Sequence, residues 1–265
     1  MLALSRQAIT SSSVACLCLL AVSSLQFPRM QKLLSDKPTN TVEALEREIS
    51  AEKVRLKFLK KIPTFGYDNL IANWIYLNFL QYFGDDEIRD KTGYGLSPQY
   101  FEVILERDPR FVNAYLALST SGSMYAGMPQ KSVKIMNKGL ESLNPWVPKN
   151  SYYIWRYKGI DELLFLGDRS AARKSFTNAS QWASEHSDEE SQLVASLSGK
   201  TAEFLETNPS SKNAQIAAWG MVLSQSTDKK TFNRAIRAIE ALGGKVISTP
   251  QGNQIQFPST VNSEQ

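Results

Sequence analysis

The sequence predicts an all-α protein built from pairs of helices, with an N-terminal membrane anchor and a small C-terminal β-hairpin. Three observations support this class. Proline, glycine and asparagine divide most of the chain into stretches of helical length joined by short breaks. No strand-rich region precedes the last residues. The N-terminal stretch between Arg6 and Arg29 carries no charge.

The composition is that of a folded protein with one or two domains. The chain has 265 residues, of which 42% are hydrophobic and 21% charged, so it is long enough to bury a sizeable core. The net charge is only +4, and charges of both signs are interspersed. No basic block indicates a nucleic-acid partner.

Residues 1–28 are predicted to be a signal anchor. A short basic region precedes an apolar core at residues 14–22, and the uncharged stretch is long enough to cross a bilayer. Cleavage after Ser23 is the alternative. Cys16 and Cys18 lie in this stretch without a good lipobox, and because the chain has no other cysteine, no disulfide framework is available to the rest.

The short basic region predicts that the bulk of the chain is exported to an extracytoplasmic compartment. The opposite orientation stays open, because Arg29, Lys32 and Lys37 follow the span and the positive-inside rule would hold them in the cytoplasm.

Residues 29–66 are interpreted as a linker followed by an amphipathic helix at 41–61. Glutamates lie early in this helix and lysines late, which suits the helix dipole. Its basic end, KVRLKFLKK, is compatible with contact to anionic lipid or with a solvated helix face.

The next element, residues 67–84, is apolar nearly all round and is predicted to be a core helix packed on two sides. Residues 84–95 are predicted to be a polar loop. Further helices are predicted at 97–109, with Ser97 as its cap, and then at 109–126, 129–143, 150–166, 168–184, 188–207, 211–225 and 230–242. KVIST and NQIQF then flank a turn and predict the hairpin.

A repeated motif accompanies the helix pairs. Ala172, Phe176 and Ala179 follow the A-x3-F-x2-A spacing of a second repeat helix, in which small and aromatic residues meet the first helix. Trp155 and Gly159 supply the W-x3-G pair of that first helix. The second-helix spacing recurs more weakly around Phe101, in residues 97–109, and again in residues 133–145. Trp74 and Asn78 hold the first-helix spacing without the glycine.

On these residues the region 67–184 resembles a degenerate tetratricopeptide-repeat array, and the layout is similar to membrane-anchored tetratricopeptide-like proteins of cyanobacteria, for which no chemistry is known. The resemblance implies an α-solenoid that faces away from its anchor, with residues 185–243 as further solenoid helices and 244–265 as hairpin and tail. It also implies a concave face that binds peptides, for which the candidate residues are Asn73, Tyr76, Asn113, Arg156, Tyr157 and Lys158.

No catalytic, cofactor-binding or metal-binding motif emerges from the sequence. It contains no phosphate-binding loop, dinucleotide fingerprint or nucleophile elbow. His186 is the only histidine, in a polar run that predicts an exposed residue. Asp161 and Glu162 are adjacent, so on a helix they point about 100° apart and do not share one proton-transfer task.

The sequence therefore predicts a non-enzymatic, membrane-anchored helical-repeat scaffold. Its expected partners are proteins, in the assembly or stabilisation of a membrane complex. The alternative is a helical domain that binds lipid or a small ligand at the membrane surface.

Overall fold

The computed structural model describes residues 6–35, 41–207, 212–226, 228–249 and 252–258. Within these ranges the chain forms 12 helices and a two-stranded antiparallel sheet, and 77% of it is helical. The predicted all-α class with a small C-terminal hairpin is thereby confirmed.

The chain divides into two units, Met1–Ala44 and Leu45–Gln265. The first unit holds helix α1 (Arg6–Ser35), whose described side chains are exposed. In the part of the chain that the structure describes, no helix combines the length and the apolar character needed to cross a membrane. The anchor at residues 1–28 stays a prediction.

The next two long helices are α2 (Val42–Lys61) and α3 (Asp68–Gly84). Arg107, the last residue of helix α5 (Ser97–Arg107), contacts both of them. Its guanidinium donates to Leu59 O (3.2 Å from Nε) and Ile62 O (2.9 Å from Nη2) at the end of α2, and it pairs with Asp68 at 2.9 Å. One buried side chain therefore satisfies the last carbonyls of α2 and fixes the start of α3.

The predicted loop at 84–95 is wrong in part, because it contains helix α4 (Asp86–Thr92). The carboxylate of Asp85 accepts from Ile88 N at 3.2 Å, so the helix has a side-chain cap. Acidic residues follow in the first turn and basic residues in the last, which is the polarity that the helix dipole favours.

Helices of the central region pack in chain order. The contacting pairs are α3 with α5, α8 with α9, and α9 with α10; α5 also contacts α6 and α7, and both α6 and α7 contact α8. The bounds are α5 (Ser97–Arg107), α6 (Val112–Leu118), α7 (Pro129–Leu140), α8 (Tyr152–Leu164), α9 (Arg169–Ser184) and α10 (Glu189–Thr207).

The start of α5 differs from the expectation. Ser97 is the first residue of the helix, the capping position falls on Leu96, and no side chain caps it. Pro98 lies in the first turn, where its missing N–H has no helical partner to lose.

Most of the residues from the repeat pattern lie inside the helix pairs. The Phe176 ring packs over Gly159, where an added Cβ would lie 3.1 Å from the ring. Trp155 is half-buried and meets Trp182 edge-on, with ring centroids 5.8 Å apart. Phe101, Ala172 and Ala179 are fully buried, whereas Trp74 is exposed.

The helix predicted at 109–126 changes its winding midway. After α6, residues Ser119–Tyr125 form a π-helical segment, in which Ala126 N donates to Ser121 O at 2.9 Å. Gly127 ends it with φ +65°, and the Arg234 guanidinium lies so close that a Cβ on Gly127 would come within 2.5 Å of it. Both the conformation and the close approach require glycine there.

The C-terminal helices α11 (Lys212–Gln225) and α12 (Lys229–Ala241) form a pair of their own. Arg234 of α12 donates to Tyr125 O at 2.6 Å, and Lys230 Nζ donates to Lys91 O at 2.9 Å. The Phe165 ring packs against Trp219 of α11, with centroids 5.2 Å apart. This pair therefore lies against the ends of the π segment, α4 and α8.

Strands β1 (Lys245–Thr249) and β2 (Gly252–Gln256) form the small sheet, with Val246 opposite Ile255. Val246 and Ile255 pack on the apolar cluster of α11 and α12.

Candidate interaction surface

The residues expected on a concave binding face differ in their exposure and contacts. Asn73 and Asn113 are exposed, on α3 and α6. Tyr76 is half-buried, and its ring meets Phe111 edge-on with centroids 4.9 Å apart, so most of its surface belongs to the core.

The three candidate residues on α8, Arg156, Tyr157 and Lys158, are buried or half-buried. Arg156 is half-buried, and its Nη1 donates to Ser198 Oγ of α10 at 3.2 Å. Tyr157 is half-buried and stacks on Tyr153, with centroids 5.9 Å apart. Arg156 therefore joins α8 to α10, whereas Tyr157 packs against the central apolar cluster.

Lys158 lies in the interior. Its Nζ is 2.5 Å from Glu162 Oε1 and donates to Ser175 Oγ at 2.9 Å, while Ser175 Oγ donates to Glu162 Oε2 at 2.6 Å. All three residues are more than nine-tenths buried. The prediction that Lys158 binds a partner is therefore wrong, because its ammonium is buried and already bonded to Glu162 and Ser175.

Asp161 joins α8 to the π segment. It is fully buried, and its two carboxylate oxygens accept from Ser119 Oγ at 2.6 Å and Ser123 Oγ at 2.5 Å. Burial raises the pKa of Asp161 from 3.8 to about 7; the two hydroxyls oppose this and the nearby charge of Glu162 adds to it. The two serines are four residues apart in the π segment and bind the same carboxyl group.

The buried polar groups of α8 bind partners within the protein interior. Asp161 and Glu162 bind different partners, on different neighbouring helices, so they share no proton. Both are enclosed by protein and present no atom to a substrate. Among the described residues, no group of three or more His, Cys, Asp or Glu side chains is placed to hold a metal ion.

The expectation that His186 is exposed is wrong. Only 5% of its surface is accessible, its Nε2–H donates to Pro145 O at 2.9 Å, and its ring meets Trp146 edge-on at 4.6 Å. The imidazole therefore binds the backbone of the turn that precedes α8. The polar sequence around His186 did not predict its burial, because residues Pro145 and Trp146, which cover the ring, are about 40 positions away in the chain.

The largest departure from expectation is the outer face of α3. Ala72, Ile75 and Phe79 are buried, but the opposite side of the helix is not covered in the second unit. The exposed fractions there are 61% for Leu70, 45% for Trp74, 60% for Leu77 and 46% for Leu80.

These four residues, which we call the α3 outer face, are spaced three or four apart and therefore lie on one side of the helix. Asp68 is the only charged residue in α3, and it pairs with Arg107. The α3 outer face is therefore apolar and uncharged, as interaction surfaces often are. The expectation of a helix packed on two sides is wrong.

A second exposed surface lies on the C-terminal half of α2. Val54 and Phe58 are both about two-thirds exposed, and Lys53, Lys57 and Lys61 flank them. Because these five positions share one side of the helix, apolar groups and cations face solvent together. We call this the α2 basic face.

The two faces are linked by the side chain of Arg55. Its guanidinium lies 5.4 Å from the centre of the Trp74 ring and donates to Asn78 Oδ1 at 3.2 Å. In the connecting loop, Phe65 is 87% exposed and has φ +52°, an uncommon conformation for a bulky residue.

Comparisons with protein-family models, with curated proteins and with solved structures gave no match.

Proposed function

We propose that this protein is a non-enzymatic helical-repeat scaffold that binds a protein partner through the α3 outer face. One observation carries the proposal. Four large apolar side chains lie exposed on one side of a helix whose only charged residue is paired elsewhere. Contiguous exposed apolar surface of this kind is typical of a binding site.

The chemistry of the face favours a protein. Tryptophan is the residue most enriched among those that dominate binding energy, and here Trp74 lies among leucines with Arg55 beside it. The exposed amides of Asn73 and Gln81 lie on the same side of α3, but no charged residue does, so an apolar helix or strand of a partner can cover the face without leaving charges unpaired.

The proposal includes a tetratricopeptide-like α-solenoid as the framework. Pairing of α3 with α5 and of α8 with α9 supports it, as does the Gly159–Phe176 contact. In such an array each helix pair is covered by its neighbours, so a terminal helix leaves apolar surface open unless it is capped. The α3 outer face fits that position.

A cross-linking experiment tests the partner. A photo-reactive amino acid placed at Leu77 should join the full-length protein to one protein in its native cells, and Leu77→Glu should abolish that complex. Leu193→Glu on α10 is the matched control, because Leu193 is equally exposed at 58%. Equal loss with both variants, or a cross-link only to a second copy of the chain, would contradict the proposal.

A second candidate is attachment to an anionic membrane surface, favoured by the α2 basic face. Lysines beside exposed apolar residues attract anionic headgroups while the apolar groups enter the boundary region. Flotation of the full-length protein with phosphatidylglycerol vesicles tests it.

Binding that weakens with salt and with a Lys53, Lys57 and Lys61→Gln triple variant would support the membrane surface. The exposed residues Lys131, Lys134 and Lys138 provide a control triple variant. Because residues 1–44 are common to both variants, the difference between them reports on α2 alone. Identical, salt-independent flotation of the two would contradict this candidate.

The location is also part of the proposal. The uncharged N-terminal stretch supports an anchor with the folded part in a periplasm or thylakoid lumen. Protease treatment of intact vesicles should leave residues 45–265 protected when these face the lumen. Digestion without permeabilisation would contradict that orientation.

A further inference from the structure

A pocket in the second unit has features that the proposed scaffold does not use. It has a volume of about 510 Å³ and lies between α2, α3, α4 and α5. Sites for small molecules typically have volumes of about 300–1,000 Å³. Its walls include Leu45, Ile49, Tyr82, Ile88, Leu96 and Arg89.

Arg89 is an unusual residue for such a wall. It is only 6% exposed, yet no carboxylate of the described residues pairs with it. Nη1 donates to Gly93 O at 3.3 Å, Nε has no partner, and the guanidinium lies 4.0 Å from the centre of the Tyr82 ring. A buried cation is normally paired, because desolvation of an uncompensated charge is unfavourable.

The second arginine of the pocket differs in this respect. Arg55 pairs with Glu52 at 2.9 Å, and Glu52 also accepts from the Tyr100 hydroxyl at 2.6 Å. Burial raises the pKa of both Tyr82 and Tyr100, so neither phenol contributes a negative charge near neutral pH. Of the buried charges in the pocket, that of Arg89 is left without an opposite charge.

The remaining charged residue in the wall restricts the ligand. Glu48 is exposed and adds negative potential, whereas the charge of Glu52 is compensated by Arg55. Glu48 would repel a doubly charged anion more strongly than a singly charged one, and a single carboxylate placed on Arg89 would complete its pairing. The leucine and isoleucine side chains around it suit an apolar group.

We propose that this pocket binds a small monocarboxylate with an apolar body. The carboxylate lies against the guanidinium of Arg89, in the planar geometry that an arginine fork and a carboxylate share. The apolar body lies against Leu45, Ile49, Ile88 and Leu96. This site is separate from the α3 outer face, and it stands whether or not a protein binds there.

Calorimetric titration of the full-length protein with three small compounds tests the ligand class. Hexanoate should bind with measurable heat and raise the thermal unfolding midpoint. Neither 1-hexanol, which lacks the carboxylate, nor inorganic phosphate, which lacks the apolar body, should do so at equal concentration. Binding of hexanol as strong as that of hexanoate, stronger binding of phosphate, or no binding of hexanoate would overturn the proposal.

Two variants then assign the carboxylate to one side chain. Arg89→Met should weaken hexanoate binding by about 10- to 100-fold, as loss of a hydrogen bond to a charged group predicts. Arg110→Met, at an exposed arginine outside the pocket, should leave the affinity unchanged. Equal affinity of the Arg89→Met variant and the native protein would overturn the assignment.

A measurement on the native protein tests the same contact without a variant, so it does not depend on whether Arg89→Met folds. Arginine Nε–H signals can be followed by NMR during titration. Hexanoate should shift the Arg89 Nε–H signal, because that group has no hydrogen-bond partner among the described residues, and should leave the Arg110 signal in place. Saturation of binding with no shift at Arg89 would overturn the proposal.

Discussion

Helices α3 and α8 are each the first helix of a contacting pair, α3 with α5 and α8 with α9. They nevertheless differ in which side chains they bury: α3 leaves apolar side chains exposed, and α8 encloses charged ones. On α3, leucines and a tryptophan face solvent. On α8, Lys158, Asp161 and Glu162 are buried. The difference follows from their neighbours: α8 packs with α6, α7, α9 and α11, whereas α3 packs mainly with α5.

This contrast shows that hydrophobicity predicts burial only when a neighbour is available. Charged residues on α8 are enclosed because partners from the π segment and α9 satisfy each of them. Apolar residues on α3 stay exposed because no other described residue of the second unit covers them. We therefore expect substitutions on α8 to affect folding and those on α3 to affect binding.

Breaking the buried pair on α8 should have the largest effect. Lys158→Met leaves the Glu162 carboxylate buried without its counter-ion, and we expect the free energy of unfolding to fall by about 3–5 kcal/mol. Chemical denaturation followed by circular dichroism measures it. Lys174→Met, at an exposed lysine on α9, should change stability by less than about 0.5 kcal/mol. Similar effects of the two variants would contradict the role of burial.

Asp161 should make stability depend on pH. Its pKa is raised in the folded state, to about 7 from 3.8, so the folded protein holds a proton that the unfolded chain releases. Its contribution is full below the unfolded pKa, declines as pH rises, and is lost above about pH 7. Asp161→Asn removes this titration while keeping the size of the side chain.

Unfolding free energies at pH 5 and pH 8 measure the effect. From pH 5 to pH 8, the native protein should lose a few kcal/mol more than the Asp161→Asn variant, because only the native protein must bury the ionised carboxylate. Parallel pH profiles for the two proteins would show that Asp161 keeps an ordinary pKa.

Truncation on the α3 outer face should have the smallest effect on folding. Leu77→Ala should lower the free energy of unfolding by no more than about 0.5 kcal/mol, because the side chain is already in water. The matched change on α8 is Ile154→Ala, at a fully buried residue, which should lower it by about 2–5 kcal/mol. Partner binding should respond in the reverse order, and a large loss of stability from Leu77→Ala would show that α3 is covered.

Much of the helical framework was predictable because its signals are local. Pro129 starts α7 at the predicted residue, α9 runs from Arg169 to Ser184 against a prediction of 168–184, and the hairpin strands lie within a residue of their predicted positions. Helix α4 was missed although Asp85 caps it, because a short polar helix lacks the apolar periodicity by which helices are recognised.

The candidate surface was less predictable than the framework. Asn73 and Asn113 are exposed, but Arg156 and Tyr157 pack within the bundle and Lys158 lies in its interior. No local signal separates a lysine that finds a buried glutamate and serine from one that faces solvent. The serines that bind Asp161 are about 40 residues away in the chain, so only folding brings them together.

By itself, the sequence determined the all-α class, the positions of most helices and the C-terminal hairpin, because caps, prolines, glycines and periodicity act within a few residues. Only the tertiary structure decided which face of α3 stays open, which charges of α8 are enclosed and how Arg89 lies in its pocket. Those outcomes depend on which helices become neighbours, since burial and charge compensation are set by contacts between segments far apart in the chain.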